Sequence, residues 1–322
     1  MQEERLTNIA LTYANELLCD GAGSQLHRIY GVYALSRMLN VSYYHSPIKE
    51  IGYQGMVALE KNENSAELLE RYNQLFDIPS DIELPLEYVT VTSIIGDQKF
   101  LTDMMCKAKE EKNQFFLIRM VFTTPLTDDH PEIFRCIKDH SPFKKKKSST
   151  FRLVIHVRLG DLPIAHRDRI IPNFHYVDVA QEVSGVLQEF KIPYVCELHT
   201  EFPTKPILIT AQHHGMKGRI KEPLLLTPEQ YNLKEFDELL HLEKHFNEDP
   251  LETLEALATA DLLIMSRSSF SYVSAMLNQT GTMVYFPFWH PRLPEWLEWT
   301  PRILFKEQLM KFCKKWKKDH ET

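Results

Sequence analysis

From residue 151 onward the chain alternates between two hydrophobic periodicities. RLVIHV (152–157) is an apolar run with the length and β-branched content of a buried strand. NFHYVDVAQEVSGVLQEF (173–190) puts apolar residues at helical spacing behind Asn173 as a cap. PYVCEL and PILIT follow as strands. TPEQYNLKEFDELLHLEKHF (227–246) predicts a helix, with Thr227 as N-cap, Pro228 at the first helical position and acidic residues behind it. Next come a helix near 250–260, the strand DLLIMS, a helix from about Ser269 and the strand TMVYFP. Strands alternating with helices predict a parallel sheet covered on both faces, so this half is Rossmann-like.

The first half predicts a second α/β domain. LTYANELLC (11–19) reads as a strand, and DGAGSQLHRIYGVYALSRMLN supplies a glycine turn followed by a helix. EYVTVTSII and QFFLIRMVF read as strands. Between the halves lies HSPFKKKKSST (140–150), whose four consecutive lysines repel one another and suit a solvated linker. The expected domains are 1–147 and 148–300, with 301–322 as a terminal helix. LMKFCKKWKKDH in that segment mixes bulky apolar with basic residues, and packing back across the domains is preferred over an anionic membrane surface.

Composition sets bounds. With 322 residues, 43% hydrophobic and 25% charged, the chain lies in the ordinary globular range and suits two domains. A formal net charge of −7 argues against a protein that coats nucleic acid, so any anionic ligand must be held locally. The five cysteines include no C-x-x-C pair and suggest neither a disulfide framework nor a zinc site. No run approaches the ~18 apolar residues of a membrane span, and the polar start MQEERLTN is unlike a signal peptide. The expectation is a cytoplasmic protein with no integral membrane segment.

Parallel sheets collect ligands beyond the carboxyl ends of their strands. RLVIHVRLGD delivers His156, Arg158 and Asp161 to that edge. Arg158 is permanently cationic, with a fork of donors suited to phosphate oxygens; the plain structural alternative is an ion pair with Asp161 that holds the turn. DLLIMSRSSFSYVSAMLN (261–278) reads as a strand, a serine turn and a helix start whose amides, with the Ser268 and Ser269 hydroxyls, form a ready anion site. Serines also cap helices everywhere. Taken together, Arg158 and the serine turn suggest a clamp for a diphosphate.

These stretches resemble a known family. HVRLGD is similar to the H-x-R-R-x-D signature of fucosyltransferases that make α1,2 and α1,6 linkages, and SRSSFSYVSAMLN to their S-N-S-S-F-S-W-W-x-A-W-L segment. IIPNFHYVDVAQEV resembles the helix start that follows the first motif in the α1,2 branch, and DGAGSQLHRIYGVYALS that branch's opening G-G-x-G-N-Q-x-F-Q-Y-A. The landmarks stand in family order over residues 20–278. The resemblance implies an α/β chain of the GT-B type, two facing Rossmann-like domains with an interdomain cleft. The N-terminal domain would take a glycan acceptor and the C-terminal domain a nucleotide-sugar donor, GDP-fucose. It further implies an inverting transfer that needs no metal and no cofactor, in which Arg158 grips the β-phosphate. The donor-binding set is then His156, Arg158, Ser268, Ser269 and Phe270, with Gly21 and Gly23 bringing backbone close to the donor.

The sequence departs from the family pattern at several points. The second arginine of the signature is Leu159, the double tryptophan is Tyr272 and Val273, and Ser24 replaces the asparagine of the first segment. A carboxylate that often reads the base falls, fifteen residues before Ser268, on Thr253, although Asp249, Glu252 and Glu255 are near. GDP-rhamnose or a related donor is therefore an alternative, as is an inactive nucleotide-sugar-binding module. Asp161 is the first candidate for general base, with Asp20, His27 and His166 behind it. HLEKH (241–245) lacks the H-E-x-x-H order of a zinc helix and is expected to be an exposed helix face.

Overall fold

The computed structural model describes residues 5–17, 20–162, 167–213, 216, 220–299 and 303–320. In chain order the elements begin with β1 (Ile9–Tyr13), α1 (Ala22–Met38), β2 (Ser42–Tyr43), α2 (Met56–Lys61), α3 (Ala66–Leu75), β3 (Val89–Ile95), α4 (Gln98–Glu110), β4 (Phe116–Phe122) and α5 (Thr124–Thr127). They continue with β5 (Phe151–Val157), α6 (Asn173–Glu189), β6 (Tyr194–Thr200), β7 (Ile207–Ile209), β8 (Leu224–Leu226), β9 (Leu242–Phe246), α7 (Pro250–Ala258), β10 (Leu262–Ile264), α8 (Ser269–Leu277), β11 (Thr282–Tyr285), β12 (Leu297–Glu298) and α9 (Ile303–His320).

The chain forms two compact units, 1–52 with 66–142, and 53–65 with 143–322. The mixed α/β class with parallel sheets is the expected one. In the first unit a four-stranded parallel sheet has the order β2-β1-β4-β3. Its helix α1 is buried along nearly its whole length, which is why its sequence is apolar and aromatic on several faces.

In the second unit a six-stranded parallel sheet has the order β12-β11-β10-β5-β6-β9. β5 lies near its centre, and Phe151, Leu153, Val154, Ile155 and Val157 are all essentially inaccessible. Each such side chain contributes about 1.5–3 kcal/mol relative to exposure. Segment 53–65 belongs with this unit because Tyr53, Met56 and Leu59 share a satellite core with Ile207, Ile209, Met216, Ile220 and Leu226. PILIT is thus a strand, but it pairs antiparallel with β8 outside the main sheet.

Three local expectations are corrected. Residues 227–246 do not form one helix. The capping box of Thr227 and Gln230 forms, yet it opens only a 3-10 turn, a second 3-10 turn covers Lys234–Glu238, and HLEKH lies largely on strand β9. His241 takes a left-handed φ of 56° that interrupts any helix there, and the backbone pairing offered by β6 outweighs local propensity. Asn173 is the first helical residue of α6 without a capping bond of its own; its side chain donates to the carbonyl of Asn232. Lys145, in the lysine tract, is no solvated tether but an ion-pair partner of buried Asp261. Asp261 also accepts from the indole N–H of Trp316, so α9 is fastened to the second unit, where Phe305, Leu309, Cys313 and Trp316 are buried.

Candidate active site at the carboxyl edge of the second sheet

β5 delivers its polar residues to the carboxyl edge, and each acquires partners there. The Arg158 guanidinium donates to the carboxylate of Asp161 and to that of Glu201, which follows β6. It also lies over the Tyr53 ring, 4.8 Å from the centroid. Glu201 accepts in addition from the Met56 N–H at 3.0 Å. The Gly160 N–H donates to the Glu201 carbonyl at 3.0 Å, and the Tyr231 hydroxyl donates to the Gly160 carbonyl at 3.1 Å. Gly160 has a φ of 32°, and a Cβ there would run into Glu201 and Tyr53, so the turn requires glycine.

This knot decides the electrostatics of Arg158. Burial works against its charge, but Asp161 and Glu201 more than compensate and raise its pKa. Tyr53 is pushed well above the usual phenol range by burial and by Glu201. One guanidinium facing two carboxylates presents no surplus positive charge. The two carboxylates differ in access: the Asp161 side chain is 6% exposed and that of Glu201 is 22%.

On the other side of β5, His156 joins the β10–α8 turn. Its Nδ1 is hydrogen-bonded to Ser271 Oγ and lies 3.0 Å from Ser266 Oγ, and the two serine oxygens are 3.0 Å apart. Burial, aided by the Arg158 charge, drives the imidazole pKa down to about 3, so the ring is neutral at ordinary pH. Ser268 is the N-cap of α8, accepting from the Phe270 N–H at 3.2 Å. Ser269 Oγ is 3.0 Å from His290 Nε2, which also accepts from the Trp289 indole N–H at 3.1 Å. The Phe270 ring lies against His156, centroids 5.7 Å apart.

Two further arginines flank this helix tip. Arg267, inside the serine turn, donates weakly to the Asp168 carbonyl at 3.5 Å, and its Nε is buried without a hydrogen-bond partner. The Arg169 guanidinium lies 3.9 Å over the Trp289 ring. The first-turn amides of a helix have no intrahelical acceptor, so this end of α8 combines backbone donors, the positive end of a dipole and cationic side chains. Chemically it is suited to an anion.

His156, Arg158, Asp161, Ser268, Ser269 and Phe270 all fall on this one edge. The guanidinium engages the β6 side of β5, however, and the imidazole the β10 side. Gly21 and Gly23 lie in the first unit, Gly21 as the N-cap of α1 and Gly23 buried within it. Beside them Asp20 is ion-paired with Arg28, and burial holds His27 at a pKa of about 3. His166 lies outside the described residues. Of the residues not singled out, Glu201 carried the same signal as Arg158, a charge ending an apolar strand; Arg267 lay inside the serine turn itself. Tyr53 and His290 come from loops whose sequence gives no such cue.

No family model and no curated protein matches the chain. Among solved structures it is similar to E. coli heptosyltransferase WaaC with ADP-2-deoxy-2-fluoro heptose, at 12% identity and a TM-score of 0.37 over 98% of this chain and 99% of that one. WaaC with ADP gives 12% identity and 0.38 over 87% and 88%. The S. aureus MnaA–UDP co-structure gives 8% and 0.36 over 98% and 89%. Likenesses this distant define neither substrate nor site.

Proposed function

We propose that the chain is an inverting, metal-independent glycosyltransferase of the GT-B type that moves fucose from GDP-fucose to a glycan hydroxyl. The observation that carries this reading is the hydrogen-bonded triangle of His156, Ser266 and Ser271, which joins the two stretches that resemble fucosyltransferase motifs at the carboxyl edge of one parallel sheet. The α8 tip and Arg267 receive the diphosphate. Arg158 joins them by exchanging Glu201, the more accessible of its carboxylates, for a phosphate oxygen, while Asp161 keeps the guanidinium oriented.

In the reaction an acceptor oxygen attacks the anomeric carbon, its proton passes to a base, and the bond to GDP breaks with charge left on the β-phosphate. A fixed guanidinium and helix-end amides stabilise that charge without a divalent ion. Asp161 is buried and paired with Arg158, and it serves in this reading as a positioning residue instead of the base. The acceptor is assigned to the first domain on the motif resemblance alone. Thr253, a helical residue of α7, stands where a base-reading carboxylate is expected, and the nearby Asp249 is occupied as that helix's N-cap. That observation keeps GDP-rhamnose as the second reading.

A panel of nucleotide sugars read by thermal shift and by product formation tests the proposal. GDP-fucose and GDP are expected to raise the melting temperature, with ADP and UDP conjugates inert, and fucose is expected on an acceptor. A shift with GDP-rhamnose alone selects the second reading. Stabilisation without turnover over a broad acceptor set selects a binding module, and indifference to every nucleotide sugar refutes the assignment.

A further inference from the structure

Strands β6 and β9 carry the same short pattern, Glu197-Leu198-His199 and Glu243-Lys244-His245, and pair in parallel with Glu197 opposite Glu243 and His199 opposite His245. Alternate residues of a strand share a face. The in-register pairing therefore collects two imidazoles and two carboxylates on one patch of the sheet. The imidazoles are stacked, with centroids 4.5 Å apart and planes 8° from parallel.

Glu248, just past β9, occupies one edge of this stack. Its Oε1 is 2.7 Å from His245 Nδ1 and its Oε2 is 3.3 Å from His199 Nδ1. At His245 the carboxylate on Nδ1 fixes the tautomer whose lone pair is on Nε2, the arrangement that metal-binding histidines use. His199 Nδ1 makes no hydrogen bond, and its Nε2 donates to Glu197 Oε2, a proton that metal binding displaces. At the Nε2 edge, His199 lies 3.4 Å from Glu197 Oε2 and His245 lies 3.9 Å from Glu243 Oε2. His245 Nε2 is buried without a hydrogen-bond partner. One donor atom from each of Glu197, His199 and His245 lies within 4.8 Å of the others. Glu197 is held by Arg152 through two bonds of 2.7 Å; its Oε1 keeps a second lone pair, and that of Oε2 faces His199 Nε2.

We propose that this patch binds a divalent transition-metal ion of the zinc type, with His199, His245 and Glu197 as ligands, Glu243 completing the set from the exposed side and Glu248 holding the His245 imidazole from behind. Two imidazoles with carboxylates suit zinc; magnesium and calcium favour oxygen-only shells. The ion fastens the edge strand β9 to β6. It takes no part in sugar transfer, so the inference stands or falls separately from the proposed function.

The test uses the full chain, stripped with EDTA and then dialysed against zinc. One zinc per chain by elemental analysis is expected, with a rise in melting temperature that magnesium and calcium do not reproduce, and tetrahedral d–d absorption on cobalt substitution. H245Q is expected to weaken binding at least about 100-fold, and E248Q about 10-fold through loss of imidazole orientation. H241Q, outside the patch, is expected to bind as the parent does. Should H245Q fail to fold, E243Q, whose side chain is 64% exposed, gives the same reading with about a 10-fold loss. Substoichiometric zinc in the parent chain, or undiminished binding in the folded ligand variants, overturns the proposal.

Discussion

His156 on β5 and Ser271 on α8 share a hydrogen bond across 115 residues of chain, and Ser266 closes the triangle 3.0 Å from the same imidazole nitrogen. The ring is buried, and a buried imidazole with two hydroxyl partners is stable only when neutral. The triangle therefore sets the spacing between the β5 edge and the α8 tip while contributing no charge to the proposed anion site.

Acid sensitivity follows from that neutrality. His156 and His27 each have a native pKa of about 3 against an ordinary 6.5. Between those values the unfolded chain binds protons that the native state does not, so the contribution is complete above 6.5 and is lost as pH falls towards 3. Each histidine adds up to ~1.4 kcal/mol of lost stability per pH unit. Asp128, raised to about 6, works in the opposite direction but is one partly buried group. Urea unfolding across this range is expected to show the decline, and H156Q to reduce its slope by about one proton. An unchanged slope in H156Q would remove the neutral-imidazole assignment.

A phosphate-binding role alone would let Arg158→Ala spare the fold. The ion pairs with Asp161 and Glu201 change that expectation, because truncation leaves two carboxylates without their cation. A loss of about 3–5 kcal/mol is expected from such a break. Arg158→Lys retains charge but not the fork, and is expected to fold, with GDP affinity about 10-fold lower. Chemical denaturation and GDP titration of the two variants separate the structural from the binding role.

Much of the second unit was legible because its strands are buried on both faces and its helices carry one period each. The Ser269 helix start, the strand at 194–200 and the strand at 282–285 lie where the pattern put them. HLEKH was not legible: its two histidines fit a helical spacing, and only the register with β6 reveals that His245 belongs beside His199. The pairing of Lys145 with Asp261 was hidden for the same reason, since a contact across 116 residues leaves no local periodicity. Arg158 and Asp161 were both visible, but Glu201, which together with Asp161 neutralises the guanidinium, follows the neighbouring strand β6.

Gly160 predicts a steric outcome. Its φ of 32° disfavours any side chain, and a Cβ would meet Glu201 and Tyr53, both already committed to Arg158. Gly160→Ala is expected to cost about 2–3 kcal/mol and to disturb the arginine knot. Denaturant midpoints should fall, with the slope unchanged; a neutral effect would mean that the turn is looser than this geometry.

Arg267 carries the last prediction. Arg158 reaches the site already neutralised, whereas Arg267 has a single long bond to the Asp168 carbonyl and a buried Nε without a hydrogen-bond partner, directly at the α8 tip. If the diphosphate sits at that tip, this guanidinium supplies the available charge, and a charge-assisted contact of this kind contributes about 1.5–3 kcal/mol. Arg267→Ala is expected to weaken GDP binding about 10- to 100-fold. The salt dependence of binding should flatten, because one screened attraction has gone. The melting temperature of the unliganded chain should shift little, since the side chain is only partly buried. Titration of GDP at low and high salt reads both quantities, and unaltered affinity in a folded variant would move the anion away from this helix.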